Sequence, residues 1–118
     1  MSKKGYVYLL ADSLKDDVYK IGVTRGSIEN RIKKLQTGNA GEIYMCRYYQ
    51  TDIPFFVEKH LHSQFLSKKL KNEWFSLTAE DVLDFSNKCA EIEKIYDALK
   101  NNYFFNKDKN NYYYEEEM

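Results

Sequence analysis

The chain is poor in the residues that build disulfide or metal frameworks. Its 118 residues include two cysteines, Cys46 and Cys89, and two histidines. The cysteines are far apart and form no C-x-x-C pair, which argues against a structural zinc site. Both fall within apolar stretches of predicted secondary structure. We therefore interpret them as small core residues of a reduced, intracellular protein.

The sequence also lacks long apolar runs. None approaches the roughly 18 residues that a membrane-spanning helix needs, and no signal-peptide pattern follows Met1. We expect no membrane association and a location inside the cell. That location would be the cytoplasm or, in a eukaryotic host, the nucleus or a viral factory.

A charge excess of one sign is missing as well. The formal net charge is zero, which argues against a uniformly basic coat for nucleic acid. The charge is nevertheless uneven, because residues 101–118 hold two lysines against one aspartate and three glutamates. Basic residues cluster at Arg25, Arg31, Lys33 and Lys34. Such a cluster is either a solvated face or a set of phosphate contacts.

What is present suffices for one domain with a modest core, since 43% of the residues are hydrophobic. Tyrosine is unusually frequent at 11 residues, which suits half-buried sheets and binding surfaces alike. We expect a single domain over residues 1–100, with its core at about 5–83 and a C-terminal helix at about 79–100. Residues 101–118 are expected to form an acidic, flexible tail.

Alternating large residues predict strands at 6–11, 18–23 and 43–50. The connector between the first two strands is short, so they are expected to form an antiparallel hairpin. Because side chains alternate between the faces of a strand, Tyr8 and Lys20 are expected on the same face of these two neighbouring strands.

Two helices follow the strands in the middle of the chain. Ser27 is a suitable N-cap for a first helix that carries an apolar stripe, and Arg31 leaves this helix from another side. A second helix opens near Pro54, which is tolerated in a first turn. Its Glu58 and His62 are one turn apart.

A last helix is predicted after a capping-box-like start at residues 78–81. Its apolar residues alternate spacings of three and four: Val82, Phe85, Cys89, Ile92, Tyr96 and Leu99. Such a stripe either packs the helix on its own domain or joins it to another chain. A protein partner or a homodimer through this helix therefore stays open.

Hydrolysis of a phosphodiester needs an oriented water, a neutralised phosphate and a held backbone. A glutamate can hold one Mg²⁺ with water in the remaining positions, and an arginine forks onto phosphate. A tyrosine or lysine acts as base only when its environment favours deprotonation. Taken singly, Tyr8, Lys20, Arg31 and Glu58 also fit ordinary strands and solvated helix faces. Their order and spacing make the pattern specific.

The ordered set Tyr6-Val7-Tyr8, Lys20-Ile21-Gly22, Arg31, Glu58 and a late N-E-W-F resembles the GIY-YIG nuclease superfamily. Within it, the set is most similar to the T5orf172 and Mug113-like branch, over roughly residues 5–83. The resemblance implies an α+β fold: a small three-stranded antiparallel sheet flanked by helices, here with the added C-terminal helix. It also implies one divalent ion, Mg²⁺ or Mn²⁺.

By this resemblance, Tyr8 is the general base or the water-orienting hydroxyl. Lys20 takes the position of the second-motif tyrosine, where its positive charge would favour a deprotonated Tyr8. Arg31 matches the arginine that contacts the scissile phosphate, and Glu58 matches the metal ligand.

Further residues are assigned more general roles. Val23 follows K-I-G where many active members place a polar residue, and this weighs against turnover. Residues expected to contact nucleic acid are Arg25, Lys33, Lys34 and Asn72, and secondary site candidates are Tyr6 and His62.

The sequence thus predicts a metal-dependent endonuclease whose partner is DNA. Two other functions stay open. One is a nucleic-acid-binding module with weak or no catalysis. The other is a viral or mobile-element protein that reuses the fold for protein interaction.

Overall fold

The computed structural model describes residues 4–101, so residues 1–3 and almost all of the predicted acidic tail lie outside the described residues. A short 3₁₀ turn, Leu66–Lys68, follows the second helix. The elements are, in order, β1 (Gly5–Asp12), β2 (Val18–Thr24), α1 (Ile28–Gln36), β3 (Ile43–Thr51), α2 (Pro54–Gln64), β4 (Trp74–Ser76), α3 (Ala79–Leu83) and α4 (Phe85–Lys100).

The sheet has four strands in the order β3-β1-β2-β4, and each neighbouring pair is antiparallel. The α+β class is confirmed, whereas the predicted count of three strands is one too low. The additional strand, β4, is only three residues long and pairs with residues 18–20 of β2. The sequence predicts a short extended stretch at residues 73–77, but a strand this short carries too little alternation to be assigned to the sheet.

β1 lies in the middle of the sheet and is buried on both faces. On one face, Val7 and Leu9 join the buried side chains of α2 and α4 in the larger core. On the other face, Tyr8 and Leu10 join Ile43 in a smaller core. This smaller core is covered by half-buried side chains, namely Ile28, Ile32 and Leu35 of α1 together with Trp74.

Local side-chain bonds explain where two of the helices begin. Ser27 Oγ accepts the Asn30 backbone N–H at 3.2 Å, which caps α1. Thr78 and Asp81 form both bonds of a capping box before α3, at 3.1 and 2.9 Å. α2 begins at Pro54, a position where no backbone N–H is needed.

The predicted C-terminal helix is two helices, because the chain leaves the helical course at Asp84 (φ −88°, ψ 2°). Asp84 Oδ1 accepts the side-chain amide of Asn87 at 3.0 Å, a local bond typical of aspartate at helix starts. Most of the apolar stripe nevertheless packs within the chain. Phe85, Cys89 and Ile92 are fully buried in the larger core.

None of the helices within residues 4–101 combines the length and the apolar character needed to cross a membrane.

Candidate active site

The register of β1 and β2 places Tyr8 and Lys20 on the same face of the sheet. Tyr8 lies opposite Gly22, and Leu10 lies opposite Lys20. Residues directly opposite one another in an antiparallel pair share a face. Tyr8 is 0% exposed and Lys20 is 8% exposed. Because lysine is almost never this buried without a partner, the fold must supply a counter-charge.

That counter-charge is Glu73, a residue that sequence reasoning missed. The Nζ atom of Lys20 lies 2.9 Å from Glu73 Oε1. Glu73 directly precedes β4, and its carbonyl oxygen accepts the Ile21 N–H at 3.0 Å, so backbone pairing holds it beside β2. The sequence did contain a clue, the glutamate of N-E-W-F. A lysine on a buried face of a sheet requires a carboxylate from a neighbouring element.

Asn72, which was predicted to contact nucleic acid, has a conformational role in the structure. Its φ is 57°, in the left-handed region that asparagine tolerates better than most residues. The Trp74 N–H donates to the Lys71 carbonyl at 3.0 Å and closes the turn. The turn sets Glu73 and β4 against β2, and a contact of Asn72 with nucleic acid stays a prediction.

The ring of Tyr8 lies directly against the backbone of Gly22. A Cβ atom added to Gly22 would come within 2.5 Å of the ring carbons Cε1 and Cζ and of the hydroxyl oxygen. Real Cβ atoms do not approach other atoms so closely, so the glycine of K-I-G is required by the position of the tyrosine.

Gly22→Ala is expected to destabilise the fold by about 2 kcal/mol, because the added methyl group overpacks the Tyr8 ring. Thermal unfolding measures the effect. Gly26→Ala is the matched control, since a Cβ there would meet its nearest atom, Thr24 Oγ1, at 3.6 Å. Equal melting temperatures for the two variants would contradict the close packing of Tyr8 on Gly22.

The hydroxyl of Tyr8 is buried and has no hydrogen-bond partner among residues 4–101. The guanidinium of Arg31 approaches it without forming a well-aligned bond, and the Tyr8 side chain is the main reason that the pKa of Arg31 is raised. Arg31 is therefore one cation beside Tyr8. Lys20 pairs with Glu73, and an effect of its charge on Tyr8 stays a prediction.

Glu58 of α2 forms a charged cluster with Lys20, Arg31 and Glu73, whose charges all act on it, and its side chain is 16% exposed. Burial raises the pKa of Glu58 to about 7 and the charge of Glu73 adds to this rise, while Lys20 and Arg31 act in the opposite direction. Strongly shifted carboxyls of this kind concentrate at functional sites.

His62 lies one turn after Glu58 at the open edge of β2. Its Nε2 atom is 3.0 Å from the Ile21 carbonyl oxygen and 3.8 Å from Glu58 Oε2. Since a carbonyl can only accept, Nε2 carries the proton and donates it. β4 pairs with residues 18–20 of β2. Next to this paired segment, His62 of α2 contacts the edge of β2 at Ile21. This contact brings Glu58 close to Lys20 and Arg31, although α2 packs on the larger core.

The remaining candidate residues have other neighbours. Tyr6 packs edge-on against Tyr48, with ring centroids 5.9 Å apart. The guanidinium of Arg25 lies over the Phe55 ring at 5.6 Å. Exposed positions on α1 are occupied by Lys33 and Lys34.

Val23, the residue expected to weigh against turnover, lies on the opposite face of the sheet from Tyr8. It pairs with Val7 and packs against the larger core. Its apolar side chain is therefore explained by packing, and an effect of Val23 on turnover stays a prediction.

A divalent ion would find few protein ligands here, because residues 4–101 contain no group of three or more His, Cys, Asp or Glu side chains suited to a metal. The donor set still fits a strongly hydrated ion such as Mg²⁺, which is often held by one or two carboxylates with water in the other positions. Glu58 would be that carboxylate, since an adjacent cation would relieve the unfavourable burial that raises its pKa.

The T5orf172 domain model matches residues 5–90. No curated protein and no solved structure gave a significant match. The matched span runs past the predicted limit of residue 83 into α4. The T5orf172 domain is associated with a GIY-YIG-like, nuclease-like fold, in agreement with the resemblance read from the sequence motifs. Since the match covers most of the chain and includes every residue of the charged cluster, this protein belongs to the T5orf172 domain family.

Proposed function

We propose that this protein is a metal-dependent endonuclease that hydrolyses phosphodiester bonds of DNA. The observation that carries the proposal is the buried hydroxyl of Tyr8, which lies beside Arg31 and has no hydrogen-bond partner among residues 4–101. A buried hydroxyl without a partner costs about 1–3 kcal/mol. Folded domains tolerate such a cost mainly where a ligand or a reaction supplies the missing bond. Membership of a nuclease-like family supports the proposal.

Arg31 is the residue that would receive the phosphate. Its guanidinium is exposed enough to turn outward and can fork onto two phosphate oxygens. Movement of Arg31 onto the phosphate would leave the Tyr8 hydroxyl free to face the attacking water. Tyr8 would then orient that water or accept its proton. One cation would thus both bind the substrate and uncover the hydroxyl.

Glu58 would hold the divalent ion, Mg²⁺ or Mn²⁺. When bound, such an ion neutralises charge that develops on the phosphate and stabilises the leaving oxygen. Lys20 keeps a positive charge within range of the same carboxylate. The side chains would therefore bind the phosphate, orient the attacking water and hold the ion. The site would act by positioning the reactants and not by forming a covalent intermediate.

Nicking of supercoiled plasmid DNA in Mg²⁺ or Mn²⁺, with EDTA as the blank, tests the proposal. Arg31→Ala is expected to lower the cleavage rate about 1,000-fold, because it removes the phosphate contact in the transition state. Arg31→Lys should recover little of this loss, since lysine lacks the planar fork. The control Lys94→Ala changes an exposed cation on α4 and should stay within about threefold of the wild type. Equal rates for the two alanine variants would refute the role of Arg31.

A DNA-binding module without turnover is the second candidate, and the match to the T5orf172 family model supports it as well. This function predicts binding that weakens steeply with salt, no nicking with either ion, and weaker binding when Arg31, Lys33 and Lys34 are replaced together. Metal-dependent nicking by the wild type would reject it.

A further inference from the structure

Lys20 interacts with two carboxylates but pairs with only one of them. Its Nζ atom lies 2.9 Å from Glu73 Oε1. Within residues 4–101, no ion pair of 4 Å or less joins Lys20 to Glu58. Glu58 lies close to this part of β2, because His62 Nε2 is 3.8 Å from Glu58 Oε2 and 3.0 Å from the carbonyl oxygen of Ile21, the residue next to Lys20. The charge of Lys20 also acts on Glu58.

The choice of partner matters because a buried ammonium cannot stay unpaired. Lys20 is 8% exposed, and removing the partner of a buried charge is strongly destabilising unless another counter-charge replaces it. Without the Glu73 carboxylate, Glu58 is the acidic group to which Lys20 would turn. A Lys20–Glu58 pair would occupy the carboxylate that the proposed function assigns to the metal ion.

Glu73 is suited to keep Lys20 in place because its own position is fixed by the backbone. Its carbonyl accepts the Ile21 N–H at 3.0 Å, and the tight turn through Asn72 leads directly into it. The next residue, Trp74, packs on the smaller core. The backbone of Glu73 is therefore held beside β2, at a point where the Lys20 side chain meets the Glu73 carboxylate.

We propose that Glu73 is a positioning residue that sets the metal affinity of the site by holding Lys20 away from Glu58. The inference rests on the proposed function only for the assignment of Glu58 as the metal ligand. Glu73 itself does not touch the ion. It acts through the lysine, in the way that outer residues of metal sites orient and release the ligands.

The test is Mn²⁺ affinity, measured on the full chain by the electron paramagnetic resonance signal of free Mn²⁺. Glu73→Gln is expected to weaken Mn²⁺ binding by about 10-fold or more. Lys20→Met in the same chain should reverse the loss, because the competing ammonium is gone. The four affinities of this double-mutant cycle isolate the coupling between the two residues. Glu91→Gln, an exposed charge change on α4, is the control and should leave the affinity unchanged.

Two results would overturn the inference. The first is a Glu73→Gln protein with wild-type Mn²⁺ affinity. The second is a Lys20→Met/Glu73→Gln protein that binds as weakly as Glu73→Gln alone, because Glu73 would then act on the ion directly. A crystal structure of Glu73→Gln should show Lys20 Nζ on the Glu58 carboxylate.

The same titrations separate this inference from the proposed function. Wild-type protein that binds Mn²⁺ through Glu58, shown by loss of binding in Glu58→Gln, yet cuts no DNA would refute the endonuclease and leave the role of Glu73 standing. Wild-type protein that binds no Mn²⁺ would refute both.

Discussion

Glu58→Gln should abolish DNA cleavage and at the same time make the metal-free protein more stable above pH 7. Loss of cleavage follows from loss of the metal ligand. The gain in stability follows from the pKa of Glu58, which burial raises from 4.5 to about 7. The folded state therefore holds its proton more tightly than the unfolded state. As the pH rises through this window, the free energy of unfolding of the wild type falls.

Glutamine removes this pH-dependent penalty because it stays neutral and keeps the shape of the side chain. We expect Glu58→Gln to be more stable than the wild type by about 2 kcal/mol at pH 8, after allowance for the remaining solvent exposure of the group. Below pH 4.5 the Glu58 carboxyl is protonated in both the folded and the unfolded protein. The two proteins should have similar stability there.

Thermal unfolding in EDTA from pH 4.5 to 8.5 tests this expectation, and the two melting curves should diverge as the pH rises. Addition of Mn²⁺ should stabilise the wild type and leave Glu58→Gln unchanged, since only the wild type binds the ion. Glu91→Gln controls for the loss of a surface charge. A Glu58→Gln protein that melts below the wild type at pH 8 would show that the carboxylate is stabilised in the fold.

Tyr8→Phe is also expected to raise stability while it lowers the cleavage rate, in this case through loss of a hydroxyl. The Tyr8 hydroxyl has no hydrogen-bond partner among the described residues, so its removal should raise the free energy of unfolding by about 1 kcal/mol. Phenylalanine keeps the ring that fills the space against Gly22. Cleavage should fall about 100-fold or more, because the group that orients or deprotonates water is lost.

Tyr49→Phe is the matched control for this substitution. The Tyr49 hydroxyl donates to Glu93 Oε1 at 2.6 Å, so the identical change should destabilise the protein while cleavage stays near the wild-type rate. Melting temperatures and plasmid nicking are measured for both variants. If Tyr8→Phe were as destabilising as Tyr49→Phe, the hydroxyl of Tyr8 would have to be bonded in the folded state.

Much of this site follows from periodicity that is visible in the sequence. Alternation within the first two strands assigns Tyr8 and Lys20 to one face, because a strand has a period of two and the short connector makes the pair antiparallel. The apolar stripe of the first helix likewise separates Arg31 from the side chains that cover the smaller core. Local patterns of this kind depend only on nearby residues.

The parts that could not be predicted depend on contacts between distant residues. Lys20 and Glu73 are 53 positions apart, and nothing in the spacing of the motifs indicates that they pair. The three residues of β4 are too few to show alternation. The break at Asp84 lies inside a continuous apolar stripe, which hides it. For the same reason, the approach of the Arg31 guanidinium to the Tyr8 hydroxyl could not be predicted from the spacing of the motifs.

The first helix has a consequence for how the site is assembled. α1 has nine residues and none of them is fully buried, whereas β1 lies in the centre of both cores. Segments with few buried contacts open locally at a free energy well below that of global unfolding. We therefore expect α1, with Arg31, to open at a lower free energy than the strands that carry Tyr8 and Lys20. The helix would then unfold and refold while the sheet stays intact, and a phosphate that binds Arg31 would contribute to ordering α1.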